Sequence, residues 1–574
     1  MSQFLLTASR SERSSPHELG SPSIRVSGDS WELSADLSER DGALYREPRA
    51  ICLCFGWAYQ AETGQPVSSH ELRELLGSFR RGDLSAVKRF SGNYAFVAVD
   101  CELAKAWVVS DRWTVLGFYY CIGDGNVAVS STAAAIAHWV KAPLDGVSLL
   151  AHLRGTGPPS GRTLFSGVCR SEPGKSAMVI DLLKAHATVT SPWPLFEGPA
   201  EWRFRESVER LAHVLVQSVG AAARLQPTID LTGGNDSRLT AAVFNSGRLA
   251  PLDRPPRFLV VADDGHPDGV VARQIAQRAG WELTVEPRDM DFDRSLTRYT
   301  EAAIASDGAG AVGLEDVRGW LRLRTRHMVV RHHLGSSGGE LVRGFFWRHE
   351  LLNVGRKRVD FARLLRRRLY AGQDVDLAVV DHHLTLQEHD EAILAPFRAI
   401  DRQLSDFANP YKLDVIYLAR ITQKMAAATW GYSGFRTVAL PFLTSQVTDI
   451  SIRVPWHQRV GRRVHLHAIE MLSPELARIR NDAGAPMIPL RLTTFPQHAV
   501  YVARDVYTNL LRRRSRTFTK PKTNLPAEWT EAAARSPSRG CLGWREGNLP
   551  LIYAHLQLSA LAERWPGIQM QLEW

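Results

Sequence analysis

The sequence predicts an α/β protein in two parts: a β-rich sandwich over residues 1–195, then an α/β domain with a parallel sheet over 196–574. Three observations predict it. Up to about residue 190, short β-rich runs follow one another with Gly, Asp, Asn and Pro signals between them. A proline-rich hinge, SPWPLFEGPAEW at 191–202, then interrupts the pattern. Beyond it, strand-like runs alternate with segments of helical period, the sign of parallel strands joined by crossover helices.

In the first part, AICLCFGWAY (50–59), SGNYAFVAVD (91–100), KAWVVSDRW (105–113), NVAVSST (126–132) and SAMVIDL (176–182) read as strands. The second part opens with RESVERLAHVLVQSVGAAARL, whose apolar residues recur every three or four positions and so predict a helix. The strand PTIDL, a helix from Ser237, the strand RFLVVAD, the helix GVVARQIAQRAG and the strand ELTVE follow.

With 574 residues, 44% apolar and 23% charged, the chain has an ordinary globular composition and can bury a large core. It lacks any run of about 18 uncharged apolar residues, and MSQFLLTASRSERSS lacks the charged start and long apolar segment of a signal peptide. A cytoplasmic protein without a membrane partner is expected. The six cysteines form no CxxC pair; Cys52 and Cys54, two apart in a strand, are expected to share a buried face. The net charge of +10 is spread thinly, with a concentration at 512–516 followed by Lys520 and Lys522. Without interleaved stacking aromatics, that cluster reads as a solvated face and not as a nucleic-acid site.

One stretch carries chemistry: TIDLTGGNDSRLTAAV at 228–243. It places Leu231, Thr232, Gly233, Gly234, Asn235, Asp236 and Ser237 between a first strand and a first helix. Paired glycines let backbone amides approach a ligand, and the helix N-terminus favours an anion. Thr232 and Ser237 add hydroxyls. The Asp236 carboxylate makes sense there if a magnesium ion bridges it to phosphate. The loop has neither the Walker spacing nor the GxGxxG fingerprint.

ThrGlyGlyAsnAspSer resembles the SGGxDS pyrophosphate loop of the asparagine synthetase-like ATP-pyrophosphatase (PP-loop) family, with Thr232 keeping the hydroxyl of the usual Ser. HHLGSSGGEL (332–341) followed by RGFFW resembles the family's GxGGDEL loop with one carboxylate missing: Gly339 or Glu340 takes the usual Asp position depending on where a gap is placed, which leaves Glu340 as the remaining acid and Gly338 on the nucleotide side. FRTVALPFLTS (435–445) resembles the EVRVPFLDHR segment, and the run beginning at Val261 fits the second strand and helix, whose backbone is expected to contact adenine. The resemblance therefore spans about 210–460. It implies ATP as cofactor and magnesium on Asp236 and Glu340. No lysine appears over 462–472, so Arg463 takes the expected role of stabilising developing charge; Lys424 and Lys520 read as surface lysines.

The first part is similar to that family's glutaminase domain, an N-terminal-nucleophile (Ntn-type) fold, on SGNYAFVAVD and SDRWTVLGFYY. The second residue, however, is Ser2 and not Cys, and FGWAYQ (55–60) stands where the family reads NGEIYN, so a structural role is expected. Relatives without a working glutaminase, such as β-lactam synthetases and lasso-peptide macrolactam cyclases, let an amine of the substrate attack the adenylated carboxylate. The resemblance thus implies an AMP-forming amide ligase, with macrolactam closure of a ribosomal peptide as the leading expectation. A leader-peptide-processing protease is then a possible partner. Closure of a small β-amino acid or a glutamine-independent amide synthesis is the runner-up. Two readings of another class stand beside it: a GxSxG hydrolase with Ser337 as nucleophile, drafting Asp449 with His457 or His465, and a non-catalytic scaffold.

Overall fold

The computed structural model describes residues 3–9, 23–37, 42–123, 125–154, 157–287, 296–305, 332–347, 358–369, 385–433, 437–501, 503, 527–540 and 549–573. Among the described residues, thirteen strands precede residue 191: β1 (Gln3–Ser9), β2 (Ile24–Gly28), β3 (Trp31–Asp36), β4 (Gly42–Glu47), β5 (Ala50–Gln60), β6 (Phe90–Asp100), β7 (Lys105–Ser110), β8 (Tyr119–Gly123), β9 (Asn126–Ser130), β10 (Pro143–Asp145), β11 (Cys169–Arg170), β12 (Ala177–Asp181) and β13 (His186–Thr190). Twelve of them form two antiparallel six-stranded sheets, ordered β11-β8-β9-β1-β3-β2 and β13-β12-β7-β6-β5-β4. Strand alternation sends Leu6, Leu33 and Val129 of one sheet and Leu53, Phe55, Val97 and Val108 of the other into a single shared core. Cys52 and Cys54 point together to the opposite face, against Leu72 and Phe79 of the helix Ser69–Arg80. Burial pushes the Cys54 thiol up to about 12 and that of Cys52 up as well.

Among the described residues, the second part holds a sheet of five parallel strands: β14 (Thr228–Asp230), β15 (Arg257–Val261), β16 (Leu283–Glu286), β17 (His332–Leu334) and β18 (Thr437–Ala439). Their order is β16-β15-β14-β17-β18, so the sheet grows outward from β14 in one direction and then in the other. The helix Asn235–Asn245 links β14 to β15, and Pro267–Ala279 links β15 to β16. His266 accepts a hydrogen bond from the Asp268 amide, Pro267 opens the second of these helices, and Gly280 ends it in the left-handed region (φ 70°).

The two parts share a seam of specific contacts. The Asn93 side-chain oxygen accepts from the Leu440 amide (2.8 Å), the Trp113 indole donates to Thr448 (2.6 Å), and Arg170 donates to the Thr422 carbonyl (3.0 Å). Trp430, on the helix Asn409–Ser433, enters the sandwich core with its ring 6.0 Å from both Phe4 and Phe55 and donates to the Gly117 carbonyl. Trp57 and Tyr59, in the FGWAYQ run, pack with Leu211 and Leu215 of the helix Phe204–Ala223. The division at 195/196 does not describe the last described residues. The helix Leu549–Arg564 shares a core with Ile136, Leu149 and Leu150, and β19 (Gln569–Glu573) pairs in parallel with β10.

Trp430→Ala is expected to cost about 3–5 kcal/mol in denaturant unfolding, as for a large aromatic removed from a packed core; a cost under about 1 kcal/mol contradicts the packing described. The seam also carries a pH term. His389 is buried with its Nδ1 2.9 Å from Arg154 and Nε2 3.2 Å from the Val147 carbonyl; burial, then the neighbouring Arg154, depresses it to about 4. A depressed histidine contributes stability above its unfolded value near 6.5 and loses it as pH falls through 4. Wild type is therefore expected to lose more stability than His389→Gln between pH 6.5 and 4, measured by denaturant midpoint; parallel curves contradict this.

Candidate functional site

β14 and β17 flank the reversal of strand order, and the loops that leave their carboxyl ends meet there. In an open parallel sheet that is where a crevice forms. After β14, Leu231 is buried and its amide donates to the Leu259 carbonyl (2.8 Å). The Thr232 amide donates to Ser237 Oγ (3.1 Å), the two hydroxyls lie 2.9 Å apart, and the Gly234 amide donates to Thr232 Oγ1 (3.1 Å). The two hydroxyls therefore fasten the loop across its base. The Gly233 amide donates to Asp268 (2.9 Å) and its carbonyl accepts from the Asp482 amide (3.0 Å). A Cβ at 233 meets that of Asp482 at 2.7 Å, so only glycine fits.

Gly234 is the N-cap of the eleven-residue helix Asn235–Asn245, and no side chain caps it. Its first-turn amides remain available to an anion. Arg238, fully buried, anchors that helix by donating to the carbonyls of Leu476, Ile479 and Arg480, and burial lowers it to about 10. At the helix start, Arg462 donates to the Asn235 side chain (2.9 Å).

Asp236 faces the second loop. Arg343 grips its carboxylate with both edges of the fork, Nε to Oδ1 at 3.0 Å and Nη2 to Oδ2 at 2.7 Å. Burial pushes the Asp236 carboxyl up, Arg343 opposes this, and nearby Glu340 adds to the rise. Glu340 accepts from the Tyr417 hydroxyl (2.9 Å) and lies 4.0 Å from Arg343, and burial together with that carboxylate raises the Tyr417 phenol well above its ordinary value. Gly339 makes the approach possible: a Cβ there falls 2.5 Å from the Asp236 carboxyl carbon. Gly338 sits at φ 96°, and a Cβ there falls 2.5 Å from Leu443. Thr240 and Ser336 hydroxyls, 3.0 Å apart, join the first helix to the second loop.

The structure thus brings together Thr232 to Ser237, Gly338 and Glu340. Val261 ends β15 beside Glu286, on the next strand but one from β17. Arg463 does not join them: its guanidinium lies over the Phe204 ring at 4.7 Å, and the adjacent Arg462, at left-handed φ 64°, turns to the loop instead. His465 is fully buried; burial, then Arg343 and Arg462, drives it well below the ordinary histidine range, against a hydrogen bond with the Asn235 backbone. Sequence reasoning missed Arg343, Arg462, Asp268, Asp482 and Tyr417. Arg343 lay inside the RGFFW run, Asp268 in the run beginning at Val261 and Arg462 at the start of 462–472, whereas Asp482 and Tyr417 lay in no motif.

For the hydrolase reading, Ser337 makes no hydrogen bond to a histidine among the described residues, while Asp449 accepts from Arg112. His333 pairs with Asp230 at 2.9 Å, and no group of three or more His, Cys, Asp or Glu side chains able to hold a metal occurs among the described residues. The carboxylates expected to hold magnesium are already engaged, Asp236 by Arg343 and Glu340 by Tyr417. Ser2, the 512–516 cluster, Lys520 and Lys522, and the Lys424 side chain lie outside the described residues. At the opposite, amino-terminal ends of the strands, a cavity of about 320 Å³ is lined by Gln226, Thr228, Phe244, Arg254 and Arg257.

Neither a family model nor a curated protein matches the sequence. Solved structures do: an allosteric regulatory enzyme of purine biosynthesis, at 11% identity over 50% of this chain and 74% of that one with a TM-score of 0.22. Another is the Bacillus subtilis glutamine phosphoribosylpyrophosphate amidotransferase, at 10% identity over 50% and 75% with a TM-score of 0.20. Likeness at that level carries no argument about this chain. No helix among the described residues is long and apolar enough to cross a membrane.

Gly339→Ala is expected to destabilise the protein by about 1–3 kcal/mol through overpacking against Asp236. Gly123→Ala, whose Cβ meets nothing within 4 Å, is expected to stay within about 0.5 kcal/mol of wild type. Equal thermal midpoints for the two variants contradict the contact.

Proposed function

We propose that the protein is an ATP-dependent, AMP-forming amide ligase of the asparagine synthetase-like kind, with the second part as a PP-loop domain and the first as a glutaminase-like relic. The observation that carries it is the uncapped helix start at Gly234, placed at the reversal of a parallel sheet and flanked by Arg462 and Arg343. A helix N-terminus with two arginines beside it is built for a polyanion.

In this reading a substrate carboxylate oxygen attacks the α-phosphorus of ATP, the α–β anhydride bond breaks and pyrophosphate leaves. The first-turn amides and Arg462 hold the charge that develops on the leaving group. An amine nitrogen then attacks the acyl carbon, AMP leaves, and the amine gives up a proton to solvent or a nearby base. Phe55 and Trp57, buried where the family reads the Asn and Glu of NGEIYN, favour an amine carried by the substrate over ammonia from glutamine. Macrolactam closure in a ribosomal peptide is the leading substrate class, with a leader-processing protease as partner; closure of a small amino acid is the second.

Thermal or chemical unfolding in the presence of α,β-methylene ATP tests the site. At 100 times its dissociation constant the analogue is expected to stabilise wild type by about 2.7 kcal/mol. Arg462→Met is expected to weaken binding about tenfold or more, the loss of one charge-assisted hydrogen bond. A folded wild type that is not stabilised at millimolar analogue turns the reading toward a scaffold.

A further inference from the structure

We propose that Arg343 is the built-in cation of this cradle, so that polyphosphate is held there without a divalent metal; the proposal rests on the nucleotide reading above.

The argument is steric before it is electrostatic. A divalent ion bridging to phosphate takes one or two free carboxylates, from the loops after β14 and β17. Here the residue facing Asp236 is Gly339, and any side chain at 339 begins 2.5 Å from the Asp236 carboxyl carbon. No second carboxylate can stand at that position. The next acid along, Glu340, is turned to the Tyr417 hydroxyl. Into the remaining space comes a guanidinium four residues beyond Gly339, bound to both oxygens of Asp236 and largely shielded from solvent.

That guanidinium has donors to spare. Asp236 takes Nε and one edge of Nη2, and no hydrogen bond from a described residue reaches Nη1. A planar fork offering further N–H groups matches phosphate oxygens in pairs, keeps its charge at any physiological pH, and needs no octahedral water shell. Asp236 then orients Arg343 and is a positioning residue rather than a metal ligand. His465, fully buried, reaches the same helix start through a hydrogen bond with the Asn235 backbone.

Calorimetric titration of α,β-methylene ATP into the full-length protein decides the matter, run once with magnesium and once with EDTA. Wild type is expected to bind with affinities within about threefold of each other in the two buffers. Arg343→Met is expected to lose about tenfold or more in EDTA and to recover with magnesium, because Asp236 is then released for the ion; Arg343→Lys, a point charge without the fork, is expected to fall between. Wild-type binding that needs magnesium overturns the proposal and leaves the nucleotide reading standing. Absence of wild-type binding in both buffers overturns that reading itself, and the proposal with it. The wild-type comparison alone suffices if a variant fails to fold.

Discussion

The site depends on a topological constraint. Parallel strands in one sheet are joined by right-handed crossovers, so a sheet that grows from a central strand in one direction and then the other must send its connections to opposite faces. β14 is that central strand, and the loops leaving β14 and β17 meet at the reversal. Neither loop owns the site alone. The first supplies an uncapped helix start and Asp236; the second supplies Arg343 and the glycine that lets the two touch.

Packing holds the second loop in place from behind. Arg459, fully buried, pairs with Asp414 at 2.6 Å and donates to the Leu341 carbonyl at 3.3 Å, while the Trp347 indole donates to the same aspartate at 3.1 Å. A buried pair of this kind is retained because removing one partner leaves an uncompensated charge. The segment 341–347, which carries Arg343, is thereby fixed at both ends. The β-rich part contributes through the seam: Asn93 holds the Leu440 amide one residue beyond β18, beside the segment that packs on Gly338. The first part thus bears on the geometry of the cradle, whatever its own chemistry.

Much of the fold was legible locally. The run AICLCFGWAY became β5, SGNYAFVAVD became β6, and the helix predicted over 205–225 runs from Phe204 to Ala223, because burial periodicity is written residue by residue. The loop from Leu231 to Ser237 was legible for a similar reason: paired glycines between an apolar strand and a helix leave few alternatives. What was not legible is what depends on distant residues. Arg462 and Arg463 are indistinguishable in sequence; the left-handed φ at Arg462 decides which one turns to Asn235. Arg343 lay unread in the motif RGFFW because its partner is 107 residues away. The return of β19 to β10 joins the last described residues to the first part, and no local pattern signals it.

A crystal structure of the protein with α,β-methylene ATP tests the central claim most directly. The account predicts the polyphosphate across the Gly234–Ser237 turn, within hydrogen-bond reach of the first-turn amides and of Arg462. A nucleotide seated instead in the cavity at the amino ends of the strands, beside Thr228 and Arg257, contradicts it.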